Sequence, residues 1–238
     1  MELFRAVRAF ALDILFPRLC LSCERYLEET IAEAGLCESC VARVTLHTTL
    51  FCASCRARLP NNAKLCHRDA PLLLAAAADY TNDTIRKLIW QLKYERKTAA
   101  LEPLAALLVR YLKNLPLSFA NAVLVPIPLH PRRERKRGFN QAALIAEAVS
   151  TVLGIPLTHC LTRLRDTPPQ VKLENRVARA VNIEGAFSVG RPELASGKHI
   201  LLVDDVATSG MTLWEAARVL KGAGAKKVTG LVVAKAGF

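Results

Sequence analysis

The C-terminal segments "KHILLVDDV", "MTLWEAARVLKGAG" and "KKVTGLVVAKA" constrain the fold more than any other part of the chain. The first and third are short, continuous apolar runs typical of buried strands, and the second has the length and exit glycines of a helix. A strand, a helix and a strand in that order predict a parallel sheet with a right-handed crossover. Ligands of such sheets collect at the carboxyl ends of the strands, where Asp204 and Asp205 are placed.

A loop of small and hydroxyl-bearing residues, "VATSGMT", follows the two acids. Gly210 permits a close approach of the backbone, and the next helix contributes the positive end of its dipole. The hydroxyls of Thr208, Ser209 and Thr212 add donors for phosphate oxygens. The loop is therefore predicted to bind a phosphate, although it lacks the lysine of a P-loop and the glycines of a Rossmann fingerprint.

Two carboxylates beside a phosphate loop would repel a polyphosphate unless they face hydroxyl groups or a metal ion. Sugar hydroxyls next to a single phosphate satisfy both features, because carboxylates accept hydrogen bonds from hydroxyls. This stretch therefore favours a phosphorylated ribose as its ligand.

Seven of the eight cysteines lie between residues 20 and 66. The knuckles "CLSC" (Cys20, Cys23) and "CESC" (Cys37, Cys40) are separated by 13 residues, a spacing that suits one tetrahedral zinc ion. A disulfide framework is the alternative. Because the N-terminal stretch does not match a secretory signal, we expect a reducing, cytoplasmic compartment and a structural zinc ion.

A second cysteine group is less regular and consists of Cys52, Cys55 and Cys66. Asp69 stands where a fourth thiolate is expected, and His67 is a competing fourth ligand, although neighbouring Cys66 and His67 would be awkward partners at one ion. The sequence leaves two alternatives open: a second zinc site, or a degenerate knuckle whose thiols pack in a small core.

The texture of the sequence changes where the cysteines end, so we divide the chain into an N-terminal helix with a cysteine-rich module, residues 1–72, and a second domain, residues 73–238. Residues 1–78 have a net charge of +1, whereas residues 79–238 have +11. The second domain is therefore expected to attract anions, either nucleic acid or a phosphorylated small molecule. No apolar run reaches 18 residues, and no membrane span is expected.

Between the module and the C-terminal unit, "NDTIRKLIWQLKYERK" and "AALEPLAALLVRYLKN" predict two helices, and residues 122–125 predict a buried strand. Five of the six residues 132–137 are basic, and we place them in a loop that turns at Gly138. The helix after this loop is predicted to direct four residues inward: Ala143, Leu144, Ala148 and Val152.

The run "ILLVDDVATSGMT" resembles the phosphoribosyl pyrophosphate motif of type I phosphoribosyltransferases. With "VPIPLHPRRERKRGFNQA", "LIWQLKYERK" and the two knuckles, almost the whole chain resembles the ComF family of competence proteins. The resemblance implies an α/β fold: a type I phosphoribosyltransferase domain, with a parallel sheet flanked by helices, preceded by a small zinc-binding module.

The resemblance also implies roles for individual residues. Asp204 and Asp205 would be the catalytic acids that bind the ribose 2- and 3-hydroxyls, and residues 167–176 a mobile cover. Mg²⁺ would enter mainly with the ligand, so no protein residue is assigned to it. The implied substrate-binding residues are Ala207, Thr208, Ser209, Gly210, Met211 and Thr212 around the 5-phosphate, and Arg132, Arg133 and Arg137 near the pyrophosphate.

Two functions stay open at this point. The first is a Mg²⁺-dependent phosphoribosyltransferase that transfers ribose 5-phosphate to an unidentified acceptor and releases pyrophosphate. The second is a non-catalytic module that senses the ligand or binds single-stranded DNA in competence and DNA uptake. The family association with a helicase-like competence partner favours the second reading.

Overall fold

The structure, a computed structural model, describes residues 17–27, 35–60, 66–67, 69–115, 118–167 and 181–237. The N-terminal helix and nearly all of the expected cover, residues 167–176, lie outside these ranges. The helices are α1 (Glu38–Ala42), α2 (Asp83–Trp90), α3 (Leu101–Lys113), α4 (Pro131–Arg137), α5 (Gln141–Leu153) and α6 (Met211–Gly222). The strands are β1 (Leu50–Cys52), β2 (Arg58–Leu59), β3 (Leu73–Asp79), β4 (Ala122–Pro126), β5 (Leu161–Arg163), β6 (Phe187–Val189), β7 (His199–Ala207) and β8 (Lys227–Lys235).

A six-stranded sheet in the order β2-β1-β3-β8-β7-β4 forms the centre of the fold. Its strands β3, β8, β7 and β4 are parallel, which confirms the parallel sheet predicted from the C-terminal strand, helix and strand. Strands β1 and β2 add to one edge in antiparallel orientation. Strands β5 and β6 form a separate antiparallel pair.

Both faces of the sheet are covered, as is usual for parallel strands. Alternate residues of β7 belong to different apolar clusters: Leu201 and Val203 pack in a cluster with residues of α2, α3 and α5, whereas Ile200 and Leu202 pack with residues of α6 and β6. The strand is therefore apolar on both sides until it reaches the two acids near its carboxyl end.

The cysteine-rich module is attached to the second domain through the sheet and through α2. Strand β1 pairs with β3, placing Cys52 opposite Leu73. On the helical side, Lys87 Nζ donates to Ser22 O at 2.7 Å and Gln91 Nε2 donates to Leu21 O at 3.0 Å. The division between residues 1–72 and 73–238 stays a prediction, and these contacts cross it.

The basic run 132–137 forms helix α4, so its prediction as a loop was wrong. His130 is the N-cap, because its Nδ1 accepts from Arg132 N at 3.3 Å, and Pro131 occupies the first helical turn. Gly138, with φ of 94°, ends the helix in the left-handed conformation. None of the helical residues is buried, so α4 has no apolar stripe by which the sequence could indicate it.

The inward face predicted for α5 was also wrong. Its buried residues include Ala142, Ile145, Ala146 and Val149, whereas Val152 is 59% exposed and Ala143, Leu144 and Ala148 are half-buried. Apolar and small residues surround most of this helix, so spacing alone does not determine its rotation. The helix is also tied to the segment after β4 by Asn140, whose side chain caps Ala142 N and donates to Ile127 O.

Within the parts of the chain that the structure describes, no helix combines the length and the apolar character that crossing a membrane requires.

Candidate functional site

A cleft of about 390 Å³ opens at the carboxyl ends of β7 and β4 and contains the two acids of the sequence motif. Four cationic side chains share this cleft with the two carboxylates. Its lining consists of Tyr80, Trp90, Lys93, Tyr94, Ile127, Leu129, Arg133, Arg137, Gln141, Arg163, Asp204, Asp205, Val206, Thr208 and Thr212.

The two acids have different surroundings. Asp205 is 3% exposed; its Oδ1 accepts from Val206 N at 2.8 Å, and its Oδ2 lies 2.5 Å from Lys93 Nζ. Asp204 is half-buried, and its Oδ1 accepts from Asp205 N at 2.9 Å. Burial, together with the charge of Asp205, raises the pKa of Asp204 to about 8.

The predicted phosphate loop lies between β7 and α6. Gly210 adopts φ of +76°, a left-handed conformation that glycine adopts without steric cost. Gly210 is the N-cap of α6 and has no side chain to cap the helix. Thr208 and Thr212 line the cleft, whereas Ala207 and Ser209 are buried behind it. The loop thus combines two cleft-facing hydroxyls with the N-terminus of a 12-residue helix, a favourable site for an anion.

Of the three arginines predicted near the pyrophosphate, the structure brings two to the cleft. Arg133 and Arg137 line it, while the Arg132 side chain is 80% exposed and lies 3.9 Å from Asp166. Arg133 pairs with Asp166 at 3.0 Å and donates to Thr167 O. Arg133 therefore anchors the residues that immediately precede the expected cover.

The sequence analysis did not predict two of the cationic residues in the cleft, Arg163 and Lys93. Arg163, at the end of β5, is 8% exposed and donates to Thr167 Oγ1 at 2.7 Å. Burial and the nearby charge of Arg133 lower the pKa of Arg163 to about 10. Lys93 belongs to a π-helical turn, Gln91–Glu95, that continues α2. Burial acts to lower the pKa of Lys93, but the charge of Asp205 outweighs it and the pKa is raised.

The last residue of α2 and a residue of this turn place an aromatic pair in the cleft lining. The rings of Trp90 and Tyr94 are 4.4 Å apart, and both residues are more than half exposed. Helical spacing places Trp90, Lys93 and Tyr94 on one face, opposite the buried Ile85 and Leu88. This spacing is the sequence signal that could have indicated a functional face of "LIWQLKYERK".

The first cysteine cluster is arranged for one metal ion. Sulfur atoms of Cys20, Cys23, Cys37 and Cys40 all lie within 4.8 Å of one another. Hydrogen bonds from the backbone and side chain of Arg25 lower the pKa of Cys23 to about 6, although burial opposes this shift. Four convergent thiol groups, one of them readily ionised, fit a structural zinc ion with no open coordination position.

The second group also converges, with His67 as its fourth member. Ligand atoms of Cys52, Cys55, Cys66 and His67 lie within 4.8 Å of one another, and Asp69 does not belong to the group. His67 can join its neighbour because its Nδ1, the ring nitrogen closer to the backbone, lies 3.3 Å from Cys66 Sγ and 3.6 Å from Cys52 Sγ. A Cys₃His donor set is a usual one for structural zinc.

Two family models match the chain. A phosphoribosyl transferase domain matches residues 140–237, which include α5, β7, the phosphate loop, α6 and β8. A double zinc ribbon domain matches residues 11–70, which include all seven cysteines of the two clusters. The predicted combination of a phosphoribosyltransferase domain with an N-terminal structural zinc module is confirmed.

Curated relatives match nearly the whole chain. It is 32% identical over 224 residues to the DNA utilization protein YhgH of Salmonella typhi, covering 89% of this chain and 94% of the relative. It is 28% identical to competence protein F of Haemophilus influenzae, with 88% and 93% covered, and 30% identical to competence protein ComFC of Bacillus subtilis, with 88% and 81% covered. The chain therefore belongs to the ComF family of competence and DNA utilization proteins, in which it joins a double zinc ribbon to a phosphoribosyltransferase domain.

Proposed function

We propose that the cleft binds phosphoribosyl pyrophosphate and that the protein transfers ribose 5-phosphate to a nitrogen acceptor with release of pyrophosphate. One observation supports this most strongly: a phosphate loop, two carboxyl groups and three arginines line a single cleft of about 390 Å³. An anion at the loop and hydroxyl groups at the acids would satisfy the whole set. A phosphorylated ribose has both, with a short fixed separation between them.

The 5-phosphate is assigned to the loop between β7 and α6. There the helix N-terminus and the hydroxyls of Thr208 and Thr212 offer donors, while Gly210 lets the backbone approach the ligand. The ribose hydroxyls are assigned to the acid pair, through the carboxyl group of Asp204, which is the more exposed of the two. A carboxylate accepts from a hydroxyl without needing a second charge on the sugar, so the acids need not repel this ligand.

The arginines are assigned to the leaving group. When the acceptor nitrogen forms its bond to C1 of the ribose, the bond from C1 to the pyrophosphate oxygen breaks, the electron pair leaves with pyrophosphate, and the acceptor loses a proton. Arg133, Arg137 and Arg163 line the cleft and can stabilise the charge that develops on the departing oxygens. Removing one donor of this kind typically costs about 3 kcal/mol, or roughly a hundredfold in rate.

The donor set is compatible with Mg²⁺ bound mostly through its ligand. Mg²⁺ prefers oxygen atoms and is usually held by one or two carboxylates together with substrate phosphates and water. Among the acids of the cleft, Asp205 is paired with Lys93 and the Asp204 carboxyl is assigned to the sugar, so the ion would be held mainly by pyrophosphate oxygens and water. The bound ion would neutralise charge on the pyrophosphate.

The proposal is tested by measuring pyrophosphate release from phosphoribosyl pyrophosphate and Mg²⁺ with a panel of nucleobases and amines. We expect release with at least one acceptor, and a loss of about a hundredfold in the Asp204→Asn variant. Substitution of exposed Asp83→Asn, outside the cleft, is the matched control. Tight binding of the ligand with no release for any acceptor would refute the catalytic part and leave a sensing role.

A second function is favoured by a different surface. Helix α4 has no buried residue, and its exposed side chains include Arg132, Arg135 and Lys136, outside the lining of the cleft. We propose that this face contacts single-stranded DNA, in line with the names of the competence and DNA utilization relatives. Binding of a single-stranded oligonucleotide of arbitrary sequence should weaken steeply as the salt concentration rises. Replacing all three residues by alanine should reduce the slope of log K against log[salt] by about two to three.

A further inference from the structure

We propose that Lys93 is a positioning residue that holds Asp205 in a buried ion pair and leaves Asp204 as the carboxyl group that meets the ligand. The two acids, expected from the sequence to share one role, would then have different ones. The inference rests on the proposed function only where it concerns the ligand; the part that concerns the acids can be tested without any ligand.

Both oxygens of Asp205 have partners within the protein, one in the ion pair and one at a backbone N–H group. The Asp205 side chain is 4% exposed, its Oδ2 lies 2.5 Å from Lys93 Nζ, and its Oδ1 accepts from Val206 N at 2.8 Å. A buried carboxylate that left this lysine would lose its counter-charge, which is strongly unfavourable. Asp205 therefore cannot turn toward a sugar hydroxyl unless Lys93 is displaced.

Asp204 is in the opposite situation. It lines the cleft, its Oδ1 accepts from Asp205 N at 2.9 Å, and no ion pair involves it among the described residues. Its second oxygen is available to a ligand. The N–H group that orients Asp204 belongs to Asp205, so a shift of Asp205 on loss of its counter-charge would also move the group that orients Asp204.

Lys93 is held from outside the cleft. It lies in the π-helical turn after α2, an irregularity that often occurs at functional sites. Lys87 and Gln91, on either side of the turn's start, donate to Ser22 O and Leu21 O in the first zinc knuckle. The position of the ammonium group is therefore set by the packing of α2 and the knuckle and is not left to a flexible side chain alone.

The charged groups around the pair determine in which direction the pKa of Asp204 should change when Lys93 is replaced. The titratable groups that line the cleft with Asp204 are its neighbour Asp205, Tyr80, Lys93, Tyr94, Arg133, Arg137 and Arg163. Burial and the charge of Asp205 raise the pKa of Asp204, and the positive charge of Lys93 lowers it. Because Lys93 opposes the raised pKa, removing its charge should raise the pKa of Asp204 further above about 8.

The first experiment is a carboxyl ¹³C NMR titration of the full, zinc-loaded chain labelled selectively at the aspartate side-chain carboxyl carbon, so that the signals come from its seven aspartates. The Asp204→Asn variant assigns the resonance. We expect the Asp204 midpoint to rise by one pH unit or more in Lys93→Met and to stay near the wild-type value in Lys93→Arg. Lys97→Met, which removes an exposed lysine paired with Glu95, is the matched control and should not move the midpoint.

The second experiment measures ribose 5-phosphate binding by calorimetry without Mg²⁺. Lys93→Met and Asp205→Asn should each weaken binding by about tenfold. The double variant should be no weaker than either single variant, since the two residues act as one pair. Asp204→Asn should weaken binding further when combined with Lys93→Met, since Asp204 is assigned a separate contact.

Two results would overturn the inference: an Asp204 midpoint that does not change in Lys93→Met, or effects of Lys93→Met and Asp205→Asn that add in full. If Lys93→Met does not fold, Asp205→Asn and the double variant, which has no unpaired buried charge, decide the question: equal ribose 5-phosphate affinities support a role of Lys93 through Asp205, and a weaker double variant contradicts it. If the wild-type protein binds neither ribose 5-phosphate nor phosphoribosyl pyrophosphate, the proposed function fails, while the titration still decides the role of Lys93.

Discussion

Gly210 offers the most direct test of the phosphate loop, because its backbone conformation can be perturbed without a steric clash. Its φ is +76°, and a Cβ built there would meet no heavy atom within 4 Å. Gly210→Ala therefore introduces only the conformational cost of a left-handed alanine, about 1 to 2 kcal/mol. For a chain of this size the cost corresponds to a fall in Tm of about 2–8 °C.

Ligand binding should fall together with stability. If alanine draws the loop away from the left-handed region, the amides at the start of α6 lose their alignment, and each lost hydrogen bond to a charged group is worth about 1.5 kcal/mol or more. We therefore expect ribose 5-phosphate affinity to fall by about tenfold. Gly210→Asn should have a smaller effect than Gly210→Ala on both quantities, because asparagine tolerates the left-handed region better.

Gly222 provides the matched control at the opposite end of the same helix. It does not have a positive φ, and its Cβ would also meet nothing within 4 Å. Gly222→Ala should be neutral or stabilise the protein by up to about 1 kcal/mol, since alanine is the better helix former. Thermal unfolding at constant zinc concentration measures all three variants. Equal Tm values for wild-type and Gly210→Ala would refute the conformational argument.

Three further predictions concern other parts of the chain. Burial and nearby lysines lower the pKa of His199 to about 4 from an ordinary 6.5, so its contribution is complete above pH 6.5 and is lost as the pH falls toward 4. The His199→Gln variant can still hydrogen-bond Thr229, and between pH 6.5 and 4 its free energy of unfolding should fall by about 1 to 2 kcal/mol less than that of wild-type in denaturant unfolding. Parallel plots of unfolding free energy against pH for the two proteins would contradict this. His67→Asn should reduce the bound zinc from two ions to one per chain by elemental analysis, whereas Asp69→Asn should retain both, and the reverse result would restore the aspartate as ligand. Asn140→Ala removes the cap of α5 and its bond to Ile127 O, and should lower the free energy of unfolding by about 2 kcal/mol; an unchanged value would show that α5 does not depend on this residue.

The parts of the molecule that sequence reasoning predicted are those that depend on local pattern. The strand, loop and helix around Asp204 lie within one continuous stretch, and the knuckle spacing of Cys20 and Cys23 determines which atoms can converge. The zinc module and the parallel sheet were accessible for this reason. His67 is harder to predict as a ligand, because its place next to Cys66 in the chain does not reveal how far its nearer ring nitrogen can reach.

The parts that were missed depend on tertiary packing. Lys93 precedes Asp205 by more than a hundred residues and reaches it only because α2 packs beside the sheet. Arg163 is the last residue of the short strand β5, in a polar segment without the hydrophobic periodicity that would predict a strand. The buried face of α5 depends on its packing partners and on the bond from Asn140 to Ile127 O, which hydrophobic spacing does not encode.

The contacts of the first zinc knuckle suggest why a zinc ribbon precedes this cleft. The carbonyl groups of Leu21 and Ser22 in the knuckle accept hydrogen bonds from Gln91 and Lys87, and the helix and turn that carry these donors supply one wall of the cleft. Zinc stiffens such a knuckle because it cross-links four separate points of the chain. A zinc ion held by the four cysteines would therefore stabilise the contacts of the knuckle with Lys87 and Gln91. These contacts hold the turn that places Lys93 beside Asp205, which leaves Asp204 as the carboxyl group of the motif that is free to bind.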